Sequence, residues 1–198
     1  MTIAVLKKLC SAIPWCEPDI LEQSVELALE IAREGREGRR IGTLFTLGAA
    51  EAVLAASRPL ILDPLAGHAP ARTQISDADL RGTLKELAQL DGAFVISEAG
   101  TVVAACRYLD ASAEGIDLPL GLGSRHLAGA SISQRLGAIA VVVSESGVVR
   151  VFHRGAIEAT LIPELWLLDR HHAQLGWRGA DDQSRSVEVL TVERGREE

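Results

Sequence analysis

The stretch from Ala138 to His153 does most to limit what this chain can fold into. It reads Ala-Ile-Ala-Val-Val-Val, then Ser144-Glu145-Ser146-Gly147, then Val-Val-Arg-Val-Phe-His. Two short apolar runs rich in β-branched residues, separated by a turn ending in glycine, predict a β-hairpin. The form occurs once before, where Gly92 to Ile96 and Thr101 to Tyr108 flank Ser97-Glu98-Ala99-Gly100. Antiparallel pairs therefore enter the sheet twice. Between the hairpins, a loop from Asp110 to Gly123 leads into Ser124 to Leu136, which is predicted to be helical.

Upstream, Pro18 to Arg33 carries Ile20, Leu21, Val25, Leu29 and Ile31 at largely helical spacing, with Asp19 available as a cap. Glu34 to Arg40 breaks that periodicity with glycines and mixed charge. Ile41 to Leu47 is an apolar strand closed by Gly48, Ala49 to Ser57 a short helix, and Pro59 to Leu62 a second short strand. Ser76 to Leu90 returns to helical spacing, with Ser76 as cap and Asp77 and Asp79 in the first turn. Ile157 to Leu175 is predicted to be a C-terminal helix, interrupted or started afresh at Pro163. Ala180 to Glu198 turns polar and is expected to be poorly ordered apart from a short strand at Val187 to Val192. The organisation expected is an N-terminal helical segment over 1–40, one domain over 41–176 and a polar tail over 177–198, since 198 residues suit a single domain.

Composition narrows the function. Hydrophobic residues make up 47% but aromatics only 4%, so the core must be aliphatic and stacking surfaces are few. A formal net charge of −7 opposes nucleic acid as the main partner, because phosphate neutralisation needs clustered cations. It leaves room for a small anion held by one local group of donors. Cys10, Cys16 and Cys106 lack metal-ligand spacing and argue against a disulfide framework, which suits a reducing, cytoplasmic setting. No apolar run of signal-peptide or membrane-spanning length follows Lys7 and Lys8, so neither a membrane nor an anchor is expected.

The chemistry-bearing residues are few. Gly121-Leu122-Gly123-Ser124-Arg125-His126 stands before a helix, where glycines allow close approach, free N–H groups face outward and Arg125 offers a fork for phosphate oxygens. The same residues equally suit a plain N-cap at Ser124 with a solvated Arg-His pair. The Gly-Lys-Ser/Thr ending of a P-loop is missing. Asp91 opens a strand directly after a helix, where a carboxylate can reach a ligand at a sheet end or simply serve an αβ turn. Glu145, at a hairpin tip, can bind a hard cation or stand as an exposed turn residue. His171 and His172 fall in a charged helical stretch and read as a solvated face; His68 and His153 have no catalytic partner visible in sequence.

Taken in order, Gly42-Thr43-Leu44-Phe45 with Gly48, Asp91-Gly92-Ala93, Gly123-Ser124-Arg125-His126 and Ser144-Glu145-Ser146-Gly147 resemble the diadenylate cyclase family, over about Glu22 to Ile157. The resemblance implies an α/β fold, a mixed central β-sheet with helices on both faces, preceded by an N-terminal helix. It implies condensation of two ATP molecules into cyclic di-AMP with Mg²⁺ or Mn²⁺, and self-association that opposes two sites. By the same resemblance Asp91 lies near the ribose 3′-hydroxyl and the metal, and Gly92 and Ala93 shape the nucleotide's bed. Gly123, Ser124, Arg125 and His126 match the family's phosphate-contacting Gly-Thr-Arg-His-Arg element, Leu109 its backbone contact to adenine, and Glu145 a metal-side acid, with Ser144 beside it in the nucleotide site. Asp91, Arg125 and His126 are thus the catalytic candidates.

Leu127 departs from the commonest pattern, which has a second arginine there, and so removes a phosphate donor. An archaeal-type branch resembles the chain further, with Arg-His followed by an apolar residue, small residues and Ser-Ile-Ser, as in Leu127 to Ser133. Arg135 is a candidate substitute for the missing guanidinium. Two other readings fit the motifs: a nucleotide-binding sensor without turnover, and an interaction module whose motifs are vestigial.

Overall fold

Thr-Leu-Phe-Thr-Leu is buried along its whole length and forms β1 (Thr43–Leu47), the middle strand of the computed structural model, which describes residues 2–174. Ahead of it come α1 (Thr2–Ser11) and α2 (Pro18–Glu34); after it α3 (Ala50–Ala55), β2 (Ser57–Pro59) and α4 (Ala78–Leu87). Then follow β3 (Ala93–Ile96), β4 (Val102–Leu109), α5 (Ser124–Leu136), β5 (Ile139–Val143), β6 (Val149–His153), β7 (Ala156–Leu161) and α6 (Pro163–Gln174). The strands make one seven-stranded sheet in the order β2-β4-β3-β1-β5-β6-β7. β1 runs parallel to β3 and antiparallel to β5, and both expected hairpins, β3–β4 and β5–β6, are present.

Side chains alternate across the sheet with period two and so build two cores. Phe45, Leu47, Phe94, Val141 and Val151 face α1, α2, α4 and Trp166 of α6, and the Phe45 and Phe94 rings stack at 5.0 Å. Leu44, Val95, Val142 and Phe152 face Val53 of α3 and Ala130 and Ile132 of α5. The fold is therefore α/β, a mixed sheet covered by helices on both faces, with helices ahead of the first strand.

Five expectations change. The short strand expected over Pro59 to Leu62 lies earlier, as β2 at Ser57–Pro59, because pairing with Arg107 to Leu109 of β4 stops at Pro59. Residues 156–161 are strand β7, not the opening of a helix: Ala159 and Leu161 are buried while Glu158 and Thr160 are less so, a period of two, and Pro163 starts the helix instead. α2 begins at Pro18 behind Glu17, which places Asp19 inside the first turn rather than at the cap. In α4 the cap is Asp77, not Ser76; its Oδ1 accepts from the N–H groups of Asp79 and Leu80 at 2.9 and 3.1 Å. Cys10 and Cys16 form a disulfide, because the chain turns sharply after α1 and brings their Cα atoms within 5.1 Å, whereas Cys106 is buried and free. The short strand expected at Val187 to Val192 and the polar tail lie outside the described residues. Among the described residues, no helix is long and apolar enough to cross a membrane.

Trp15, between the bridged cysteines, presses its indole on the end of β1. A Cβ built on Gly48 would stand 2.3 Å from Trp15 Cη2, and the φ of +80° there is itself one that L side chains avoid. Both effects have the same sign. Gly48→Ala should cost about 1–3 kcal/mol of stability, read from urea unfolding, through backbone strain and overpacking together.

Candidate functional site

Strand directions decide where the chemistry gathers. Because β1 and β3 are parallel, the residues that lead into them, Gly42 and Asp91, share one edge of the sheet. β5 is antiparallel to β1, so the turn that leaves it delivers Ser144 and Glu145 to that same edge. α5 lies on the face of the second core with its N-terminus here. Gly129 permits the close seat, since a Cβ on it would stand 2.8 Å from Val142 Cγ2.

Arg125 ties three elements together. Its Nη1 donates to Glu145 Oε1 at 3.0 Å and its Nη2 to Asp91 Oδ1 at 3.4 Å. Both carboxylates are widely exposed, with side-chain exposures of 78% for Asp91 and 70% for Glu145. Gly42 clears the space: a Cβ there would come within 2.8 Å of Arg125 Nη1 and 3.2 Å of Glu145 Cγ. Gly92 is required more strictly. Its φ is +108°, and a Cβ would stand 2.6 Å from the backbone carbon of Cys106, itself at φ +54° where β4 bulges against β3. Asp91 is aimed by this backbone, and its Oδ1 accepts the Gly92 N–H at 3.0 Å.

The residue before α5 is Gly123, which has no side chain to cap the helix, and a Cβ on it would meet nothing within 4 Å. Ser124 is the first helical residue and is exposed, so it is not the N-cap. The result is an open helix start beside a guanidinium, an arrangement suited to an anion. His126, by contrast, is 5% exposed. Its Nε2 lies 3.2 Å from Nη1 of Arg150 on β6, and its ring meets the Phe152 ring edge-on. Burial first, then the Arg150 and Arg125 guanidinium groups, push the imidazole down to about 4.

The remaining candidates are placed as follows. The Ser144 hydroxyl works within its own turn, accepting from the Ser146 N–H at 3.2 Å and pairing with its hydroxyl at 2.9 Å. Ala93 and Leu109 are buried in the α5-side core, Leu109 at the end of β4 opposite Ser57 of β2. Leu127 is half-buried. Arg135 is not turned to the helix start; it donates to the Asp110 carbonyl at 2.5 Å. Two residues went unmarked in the sequence. Arg40 bonds the Ser146 carbonyl and packs on Gly147, bracing the turn that carries Glu145. Arg150 had a legible signal, a lone charge in an otherwise apolar strand.

Among the described residues no three or more His, Cys, Asp or Glu side chains are grouped to enclose a metal. Asp91 and Glu145, sharing one guanidinium, fit the lesser demand of Mg²⁺ or Mn²⁺ held by one or two carboxylates with phosphate oxygens completing the shell. A cavity of about 560 Å³ lies at the other end of β1 and β3, lined by Ala49, Glu51, Leu54, Ser97, Glu98 and Val103, away from this cluster.

A mixed-sheet α/β domain with an open, cationic helix start facing two carboxylates is suited to an anionic ligand that brings a cation with it. The family model for DAC, the DisA bacterial checkpoint controller nucleotide-binding domain, matches residues 30–157, and the chain belongs to that family. It is 50% identical over 138 residues to a diadenylate cyclase of Methanocaldococcus jannaschii, covering 69% of this chain and 43% of the relative. It is 41% identical over 151 residues to a diadenylate cyclase of Haloferax volcanii, covering 76% of this chain and 55% of the relative. The chain thus spans about half the length of the curated relatives it matches. A crystal structure of a DacA double mutant from Staphylococcus aureus has a similar fold, with a TM-score of 0.50 at 21% identity over 81% of this chain and 97% of that one.

The buried imidazole makes a prediction about pH. An unfolded histidine takes up a proton below about pH 6.5, whereas His126 in the fold resists until about 4. The unfolded chain therefore binds the proton first, and stability is lost as pH falls from about 6.5 to about 4. In urea unfolding across that window, His126→Gln should show a flatter pH dependence than the wild type; equal slopes would contradict it.

Proposed function

We propose that this chain is a diadenylate cyclase, condensing two ATP molecules into cyclic di-AMP with release of two pyrophosphates. The observation that carries the reading is Arg125 at an open helix start, bonded to both Asp91 and Glu145. These contacts are made to be exchanged. Exposed ion pairs contribute only about 0–1 kcal/mol, so a triphosphate can take over the guanidinium and free both carboxylates for a cation. Family membership and the two archaeal relatives support the same reaction.

In this reading the ATP phosphates lie against the first turn of α5, met by the N–H groups after Gly123, by Ser124, and by Arg125 and His126. Gly92 and Ala93 form the floor under the ribose, Leu109 meets adenine through its backbone, and Ser144 stiffens the turn beside Glu145. Asp91 faces the 3′-hydroxyl as hydrogen-bond acceptor and polarises its O–H bond. The 3′-oxygen then bonds to the α-phosphorus of the other ATP while the bond to the pyrophosphate oxygen breaks in line and the hydroxyl proton passes to Asp91 and on to solvent, so catalysis is mainly positioning and charge stabilisation. Bound Mg²⁺ or Mn²⁺, held by Asp91 and Glu145, would supply charge neutralisation. One site holds one ATP, so two copies must oppose their sites, and self-association belongs to the mechanism.

Leu127 favours a second reading, a sensor that binds adenine nucleotide without turnover, since Arg135 is committed to Asp110 and does not stand in for the absent arginine. Incubation of the 198-residue chain with ATP and either metal, followed by chromatographic product analysis, separates the two. Cyclic di-AMP is expected, and Asp91→Asn should lower its rate by about 100-fold or more. ATP binding without product would support the sensor, and full activity in Asp91→Asn would remove the role given to that carboxylate.

A further inference from the structure

We propose that Arg150 is a positioning residue that holds the His126 imidazole with its proton on Nδ1, so that His126 meets the nucleotide as a neutral N–H donor and not as a base. An arginine has only donors and stays charged in proteins. With Arg150 Nη1 at 3.2 Å from Nε2, that ring nitrogen must offer its lone pair, which leaves the proton on Nδ1. The guanidinium occupies the nitrogen that a base would have to use.

The surroundings fix this arrangement. Arg150 and Phe152 lie two apart on β6 and so point to the same face, where one meets the imidazole at Nε2 and the other at its edge. The ring is almost wholly enclosed, so rotation to present the other nitrogen would require repacking against β6. The charged groups around it are Arg150 from β6 and Arg125 from its own helix, the latter held by Asp91 of the β3 edge and Glu145 of the β5–β6 turn. Two cations beside the ring oppose an imidazolium and thus reinforce the neutral form. Arg150 also supplies a guanidinium behind the first turn of α5, where Leu127 supplies none.

What His126 faces rests on the cyclase reading; which nitrogen carries its proton does not. Long-range ¹H–¹⁵N spectra of the full chain labelled at histidine, with His126→Gln for assignment, read the tautomer directly. The expected result near neutral pH is a neutral ring protonated at Nδ1. Arg150→Met should erase that tautomer preference and lower kcat by about tenfold or more with a smaller change in KM for ATP, and Arg150→Lys should recover part of both. A wild-type His126 protonated at Nε2 would overturn the proposal, as would a folded Arg150→Met with unchanged spectrum and kcat. If Arg150→Met does not fold, the wild-type tautomer still decides. An Nδ1 proton in a chain that forms no cyclic di-AMP would uphold the Arg150 contact and remove the cyclase reading alone.

Discussion

The pairing of β1 on both of its edges governs the molecule. A strand that is parallel to one neighbour and antiparallel to the other brings two strand entries and one strand exit to the same end of the sheet. Gly42, Asp91 and Glu145 meet there although more than a hundred residues separate the first from the last. In an all-parallel sheet the ligand crevice lies beyond the carboxyl ends of the strands. Here those ends of β1 and β3 open on an uncommitted cavity, and the charged groups collect at the opposite side.

Two kinds of electrostatics coexist in three consecutive helical residues. Arg125 faces water and shares its charge between exposed carboxylates, so its bonds are weak and replaceable. His126 faces inward, where burial raises the stake of every polar contact and one guanidinium dictates the ring's state. Leu127, half-buried, contributes packing alone. The helix start thus joins an adaptable outer donor to a fixed inner one, and Gly129 and Ala130 let the helix sit low enough on β5 for both to be in place.

Much of this was written in local pattern. Both hairpins could be read because β-branched runs end at glycine turns, and α5 because open glycines precede small, helix-compatible residues. β7 could not, since Glu158 and Ala159 suit a helix and only pairing with β6 selects the extended form. α1 was also missed. The disulfide was hidden because spacing does not tell whether a turn between two helices folds back. Asp91-Gly92-Ala93 was legible as a motif, yet the reason for its glycine lies in Cys106, on the other strand of the hairpin, and no local pattern carries that contact. Arg150 was visible as a charge but not as a partner of His126, because that contact depends on how α5 crosses β6.

Trp15 gives the fold an optical property. Its indole rests on Gly48 at the end of β1, held there by a loop whose two ends are covalently joined. Trp166 is buried on the same side of the sheet, packed with the N-terminal helices. The emission of Trp15 and Trp166 therefore follows the seating of the helical layer on the central strand, while among the described residues the charged cluster at the other end of that strand carries no indole; the third indole, Trp177, lies outside the described residues. With Trp177 replaced by Phe, detachment of the N-terminal helices should therefore be readable from colour and intensity without an added label.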